Sequence, residues 1–244
     1  MSTPRRTDDP SETEPPEPLE PSAASEPAGP ASRRVQVRRG AARADYDPGT
    51  VRRILDEGLV AHVGVVAPDG PLVLPMAYGR IDDTLYLHGA RANGLLAAAA
   101  GAELCVTVTL VDGLVLARSP FHNSMNYRAV VVRARGALVT DDAEKVEALR
   151  AINDRLVPTW DTGRQPTASE LRRTAVVGLP VTEASAKVRA GDPVDEASDL
   201  DGPHWAGTVA RHAVWGPPRP ARDLSEGVSP PPPVARLEGR AAPT

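Results

Sequence analysis

Through the middle of the chain, apolar and polar residues alternate in twos. In ELCVTVTLV, residues 103–111, Leu104, Val106, Val108 and Leu110 fall on one side and Cys105, Thr107 and Thr109 on the other, the pattern of a strand with one buried face. LVAHVGVVA (59–67), LVLPMAYGRI (72–81) and TLYLH (84–88) read the same way, as do MNYRAVVVRARGALV (125–139) and, with a bend, AVVGLPVTEASAKVRAG (175–191). PDGP (68–71) and the Asp pair after Ile81 are short enough for hairpin turns, and Asp112-Gly113 predicts a third turn into LVLARS. HWAGTVARHAVWG, 204–216, predicts a last strand after a polar acidic loop.

Helical spacing is confined to a few places. Asp47-Pro48 is a capping residue followed by a proline, ahead of Val51, Ile54, Leu55 and Leu59. LLAAAA predicts a helix over 92–100 with Gly101 as its stop. Asp141 and Glu144 form a capping-box pattern before Val146, Leu149, Ile152 and Leu156. About seven strands with short turns, and helices too few for βαβ repetition, predict a mainly β fold: an antiparallel barrel with helices packed outside it.

Composition bounds the domain. Residues 1–40 are rich in Pro, Glu, Ser and Ala, and 216–244 contain GPPRPARDLSEGVSPPPP. Neither has enough large apolar residues to offset the entropy of ordering it, so both are expected to be disordered tails around one domain, 41–215. That domain is expected to keep its fold by itself. The net charge of -4 gives no general attraction to nucleic acid, although RRVQVRRGAAR (33–43) carries five arginines. Cys105 is the sole cysteine, which excludes a disulfide frame and a zinc cluster; it is expected to be buried and inert. No apolar leader opens the chain and no apolar run is long enough to span a bilayer, so a soluble cytoplasmic protein is expected, with no membrane partner.

The chemistry gathers in HGARANG, 88–94. Here His88-Gly89 is read as the break between a strand and the helix 92–100. A helix start offers free N–H groups and partial positive charge to an anion. Gly89 and Gly94 permit close approach, Arg91 adds a bidentate donor and Asn93 a neutral one. This is a chemically sound phosphate cradle, and equally an ordinary glycine-relieved turn. Pro75 cannot donate to a β ladder, so it marks an edge strand or a broken ladder whose free backbone groups a flat heteroaromatic ring could use.

LVLPMAYGRIDDTLYLHGARANGLL, then FHNSMNYRAVVVRARGAL, EASAKVRAG and HWAG in that order, resemble the pyridoxamine 5'-phosphate oxidase-like FMN-binding split-barrel family, in its nitroimidazole-resistance-reductase-related branch. The resemblance implies a split β-barrel, a homodimer and FMN bound in grooves between the subunits. It places Pro75, Met76 and Tyr78 along the flavin ring, and His88, Gly89, Ala90, Arg91, Ala92 and Asn93 around the ribityl phosphate and ring edge. Met125, Asn126 and Tyr127 would approach from the long strand, and Trp205 would cover the site, from the other subunit. It implies a flavin-dependent reductase or oxidase of a small organic substrate. The chain departs from relatives in having ARANG where Ser or Lys is common, and it lacks the basic residues that would grip a vitamin B6 phosphate.

Two other functions stay open at this stage: a non-catalytic flavin or haem binder, and a deazaflavin-dependent reductase. His88 is a candidate proton donor or a structural histidine. His122 is a second candidate donor, and His62 is expected at the core or rim. Lys187 and Arg189 are either a charged strand edge or cations beside a reduced flavin.

Overall fold

The structure is a computed structural model that describes residues 28–91 and 94–243. In chain order its strands are β1 (Ala44–Asp45), β2 (Val60–Ala67), β3 (Gly70–Ile81), β4 (Thr84–Ala90), β5 (Glu103–Leu116), β6 (Ser124–Arg135), β7 (Ala137–Leu138), β8 (Thr174–Pro180), β9 (Ala184–Arg189) and β10 (Gly207–Ala210). Its helices are α1 (Pro48–Glu57), α2 (Gly94–Ala99), α3 (Asp142–Leu156), α4 (Ala168–Arg173) and α5 (Pro232–Ala235).

The helix starts follow the capping chemistry. Asp47 accepts the Thr50 amide at 2.7 Å with Pro48 in the first turn, and Asp141 accepts the Glu144 amide at 2.8 Å. Thr167 and Glu170 form a reciprocal capping box on α4, a short helix that apolar spacing gives no sign of. Gly101 takes φ 79°, the left-handed value that ends α2.

Every strand pairing is antiparallel, in the order β1-β9-β6-β5-β2-β3-β4-β8-β7, with β10 added to β5. β8 and β9 lie near opposite ends of that order, yet only residues 181–183 separate them. The four steps from Pro180 to Ala184 reach about 14 Å at most, so the sheet must curl until its two ends meet. The barrel interior holds Leu104, Val106, Val108 and Leu110 from β5, Val130 and Val132 from β6, Val63 from β2 and Leu85 and Leu87 from β4. α1 packs Val51, Ile54 and Leu55 into this core and α2 packs Leu95, Leu96 and Ala99. A second apolar cluster lies outside the barrel wall, where Tyr86 and Val176 meet Ala148 and Ile152 of α3.

Four sequence-based expectations are corrected. Asp112-Gly113 is not a turn: β5 runs straight through with a bulge between Val111 and Gly113, because β6 and β10 both pair there and Arg128 of β6 holds Asp112. His88-Gly89 is not the end of a strand, since β8 carries the pairing on to Ala90↔Thr174. Cys105 is half-buried on the outer face of β5. His62 is exposed, on the same outer face.

The flanking segments lie as follows. Val35 is 4% exposed, the Val37 amide donates to the Tyr46 hydroxyl at 2.8 Å, and Arg34 pairs with Glu103 of β5. Residues 28–40 therefore lie against the domain. Near the other end, Val214 bridges Ala241, and the Trp215 amide donates to the Arg240 carbonyl at 3.0 Å.

Candidate functional site

β3 changes partner midway. Residues Gly70–Ala77 pair with β2, and Tyr78–Ile81 pair with β4. Beyond Tyr78↔Leu87, β4 leaves β3 and pairs only with β8 as far as Ala90. Two strand edges therefore diverge with no strand partner among the described residues: β3 before Tyr78, and β4 after Leu87. This is where the barrel is split. α2 fills the inner end of the split with the buried Leu95 and Leu96. Pro75 is exposed on the β3 lip, where a missing N–H is tolerated because one edge is unpaired. His88, Gly89, Ala90 and Arg91 form the β4 lip. The Arg91 amide donates to the Arg173 carbonyl at 2.9 Å, which ties that lip to the end of α4. Ala92 and Asn93 lie outside the described residues.

Alternation decides which expected site residues face outward. Pro75 shares the outer sheet face with His62, its partner on β2, and with Thr107 on β5. Met76 packs against the barrel core. Tyr78, expected along a cofactor ring, is 0% exposed: its hydroxyl donates to the Leu55 and Gly58 carbonyls at the end of α1. Burial pushes its phenol up to about 12. Tyr78 is thus a core anchor, placed by the same parity that turns Pro75 outward.

Tyr127 and Met125 lie on the outer face at the other end of the sheet, paired with Val111 and Leu114. Leu114 is seven residues along β5 from Thr107, about 23 Å at ~3.3 Å per residue, so one chain does not bring Met125 to Pro75. Asn126 accepts from the Arg189 guanidinium and donates to the Gly191 carbonyl at 3.2 Å. Trp205 is 66% exposed and folds over Gly207, at the start of β10 beside that same end of β5. Lys187 donates to the Arg39 carbonyl at 2.8 Å. His122 lies 4.0 Å from Glu196.

His88 has the parity of Tyr86, so its imidazole faces outward from the barrel, toward α3. There it lines a cavity of about 620 Å³ with Leu149, Ile152, Leu156, Trp160 and Pro166. Pro231, from the segment near the C-terminus, closes part of the wall. The His88 Nδ1 is buried without a hydrogen-bond partner, and burial holds the imidazole below its ordinary pKa, in the neutral form. Polar groups at the rim include Arg164 and Glu170, which pair at 2.8 Å. The arrangement is a largely apolar chamber with one neutral, unpartnered ring nitrogen in its wall, of the kind that takes a small organic ligand. Among the described residues no group of three or more His, Cys, Asp or Glu could hold a bare metal ion. No helix among them is long and apolar enough to cross a membrane.

A barrel opened along one strand, with small helices over its wall, is a split barrel. Residues 47–188 match the family model described as pyridoxamine 5'-phosphate oxidase, and the chain belongs to that family. It is similar to the flavocytochrome Anf3 from Azotobacter vinelandii at 37% identity, covering 87% of this chain and 100% of that one with a TM-score of 0.83. It is similar to the FAD and heme binding protein from Mycobacterium smegmatis at 30% identity, covering 83% and 100% with a TM-score of 0.78. A candidate 5-nitroimidazole antibiotic resistance protein from Bacteroides thetaiotaomicron shares 26% identity over 59% of this chain and 86% of that one, with a TM-score of 0.50. No curated protein matches the chain.

Proposed function

We propose that this chain is a flavin-dependent oxidoreductase that acts as a homodimer on a small organic substrate. The observation that carries this reading is the split itself. Its two free strand edges present backbone donors and acceptors to a flat ring, with Pro75 on one lip and Arg91 on the other. FMN fits the cleft chemically, because Arg91 is an exposed guanidinium with no ion-pair partner among the described residues and would meet the phosphate. The flavin would supply the hydride and electron chemistry, and the protein its position and electrostatics. A FAD phosphate would use the same contact.

A second copy of the chain is supported by the outer sheet face. Val60, Val66, Val73, Leu114 and Met125 are 49%, 81%, 60%, 55% and 45% exposed there. Apolar patches of this kind on a soluble domain mark association surfaces. A facing copy would also bring its Met125, Tyr127 and Trp205 toward the Pro75 lip, since within one chain Met125 pairs with Leu114, about 23 Å along β5 from Thr107.

A second reading, haem binding beside the flavin, is favoured by the His88 cavity. The neutral, orphaned imidazole of His88 would hold the haem iron, and Leu149, Ile152, Leu156 and Trp160 would wall the porphyrin. Haem would add one-electron chemistry at that place. The two similar proteins described as a flavocytochrome and as FAD and heme binding agree with this reading.

An absorption spectrum of the purified protein tests both. Two visible flavin bands are expected, and a Soret band in addition where haem is held. A single band near the violet would replace FMN by a deazaflavin, and a colourless protein that takes up neither flavin nor haem would overturn the proposal. His88→Ala is expected to abolish the Soret band and to leave the flavin bands in place.

A further inference from the structure

A second cavity, of about 400 Å³, adjoins the His88 chamber through Leu171 and Thr174. Three cationic side chains line it: Arg91 from the β4 lip, Lys145 from α3 and Arg172 from α4. One carboxylate, Asp142, stands among them. The bond from the Arg91 amide to the Arg173 carbonyl ties the β4 lip to the end of α4, the helix that carries Arg172. Lys145 is the unusual member. It is 8% exposed, and its ammonium donates to the Leu171 carbonyl at 3.0 Å without a carboxylate in ion-pair range among the described residues. A buried ammonium with no counter-ion is costly. A cavity with three cations and one acid invites an anion that carries more than one charge.

We infer that this cavity binds a doubly charged anionic group, a phosphate or a pair of carboxylates, with Lys145 as the buried charge and Arg91 and Arg172 as its exposed partners. The source of the group rests on the function proposed above. It is either the phosphate end of the flavin or the two propionates of the haem, and the two share one chemistry. The cavity lies at the β4 lip of the split and also beside the His88 chamber, so it is reachable from both.

The test uses the full chain freed of cofactor, as wild type, Lys145→Met, Lys145→Arg, Arg172→Gln and Asp142→Asn. Each is titrated with FMN and riboflavin by fluorescence, and with haemin and haemin dimethyl ester by absorbance. Lys145→Met is expected to weaken one of the two charged ligands roughly ten- to a hundredfold and to spare its uncharged counterpart. Loss in the flavin pair identifies the phosphate, and loss in the haem pair identifies the propionates. Lys145→Arg is expected to restore binding, and Asp142→Asn to tighten it. Should Lys145→Met fail to fold by circular dichroism, Arg172→Gln on the exposed rim gives the same comparison. Unchanged affinity for both charged ligands overturns the inference while wild-type binding leaves the proposed function standing. If wild type binds neither cofactor, that function falls, and calorimetry with pyrophosphate decides the cavity. Saturable binding lost in Lys145→Met supports the anion site, and absence of binding overturns it.

Discussion

Gly79→Ala is the sharpest test of how the cavity wall is held. Gly79 pairs with Tyr86 across β3 and β4, under α3. A methyl group at Gly79 would lie 2.6 Å from the Ile152 amide nitrogen, 2.7 Å from the Ala151 carbonyl carbon and 3.0 Å from the Ile152 Cα. All three are backbone atoms, so no rotamer change relieves them. Ordinary contact begins near 3.4 Å, so α3 must lift by about 0.8 Å over the sheet. Overpacking of this kind costs about 1–3 kcal/mol. For a chain of this size each kcal/mol moves the midpoint by roughly 2–4 °C, so Tm should fall by about 2–12 °C. Leu149, Ile152 and Leu156 ride on α3, so the His88 cavity widens with the lift, and haem uptake should weaken in the same variant. The control is Gly178→Ala, whose methyl group would meet Tyr86 and Thr84 side-chain atoms at 3.4 and 3.5 Å. It should melt at or slightly above wild type, because alanine there also restricts the unfolded chain. Thermal unfolding followed by circular dichroism decides it. A Gly79→Ala protein that melts with or above wild type would refute the close approach of α3 to β3.

Other perturbations test separate parts of the molecule. Arg91→Ala should weaken FMN roughly ten- to a hundredfold and riboflavin much less, since about 1.4 kcal/mol is a factor of ten; equal loss for both flavins in a fluorescence titration would remove the phosphate contact. Because burial lowers the pKa of His88, the unfolded chain takes up a proton that the folded chain resists, so stability should fall as pH drops below the ordinary 6.5, and His88→Gln should flatten that slope in urea melts. Glu170 is held down to about 2, first by Arg164 and then by Thr167, so its support of α4 is complete above its ordinary 4.5 and is lost as pH falls toward 2; hydrogen exchange at 168–173 should quicken across that window before the barrel strands respond. A chain cut to 41–215 loses the buried Val35, worth up to about 1.5–3 kcal/mol, and should melt below one starting at residue 28.

Much of the fold is legible in local pattern because period and capping are local physics. The alternation in 103–111 placed Leu104, Val106, Val108 and Leu110 inward, and all four are core residues. Asp47 and Asp141 start their helices because each side chain reaches an amide three residues ahead. Gly101 ends α2 because it alone nearby tolerates its left-handed φ. The order of motifs, more than any one of them, carried the family.

What the pattern could not decide depends on partners distant along the chain. Asp112-Gly113 is a turn signal in isolation, but Arg128 and the strand β10 turn it into a bulge. His88-Gly89 reads as the end of a strand until β8, more than eighty residues later, supplies a partner. An apolar stripe on α3 predicts Val146 in the core, yet Lys145 is the buried neighbour, because Leu171 of α4 offers its ammonium a carbonyl. Tyr78 and Pro75 stand three residues apart on one strand, so alternation turns them to opposite faces, but only the tertiary contacts show that one anchors α1 while the other borders the split. Sequence sets which face of an element is apolar, through side-chain transfer and backbone preference. The tertiary structure alone sets which faces meet, because that follows from pairings whose free energy is spread over the whole barrel.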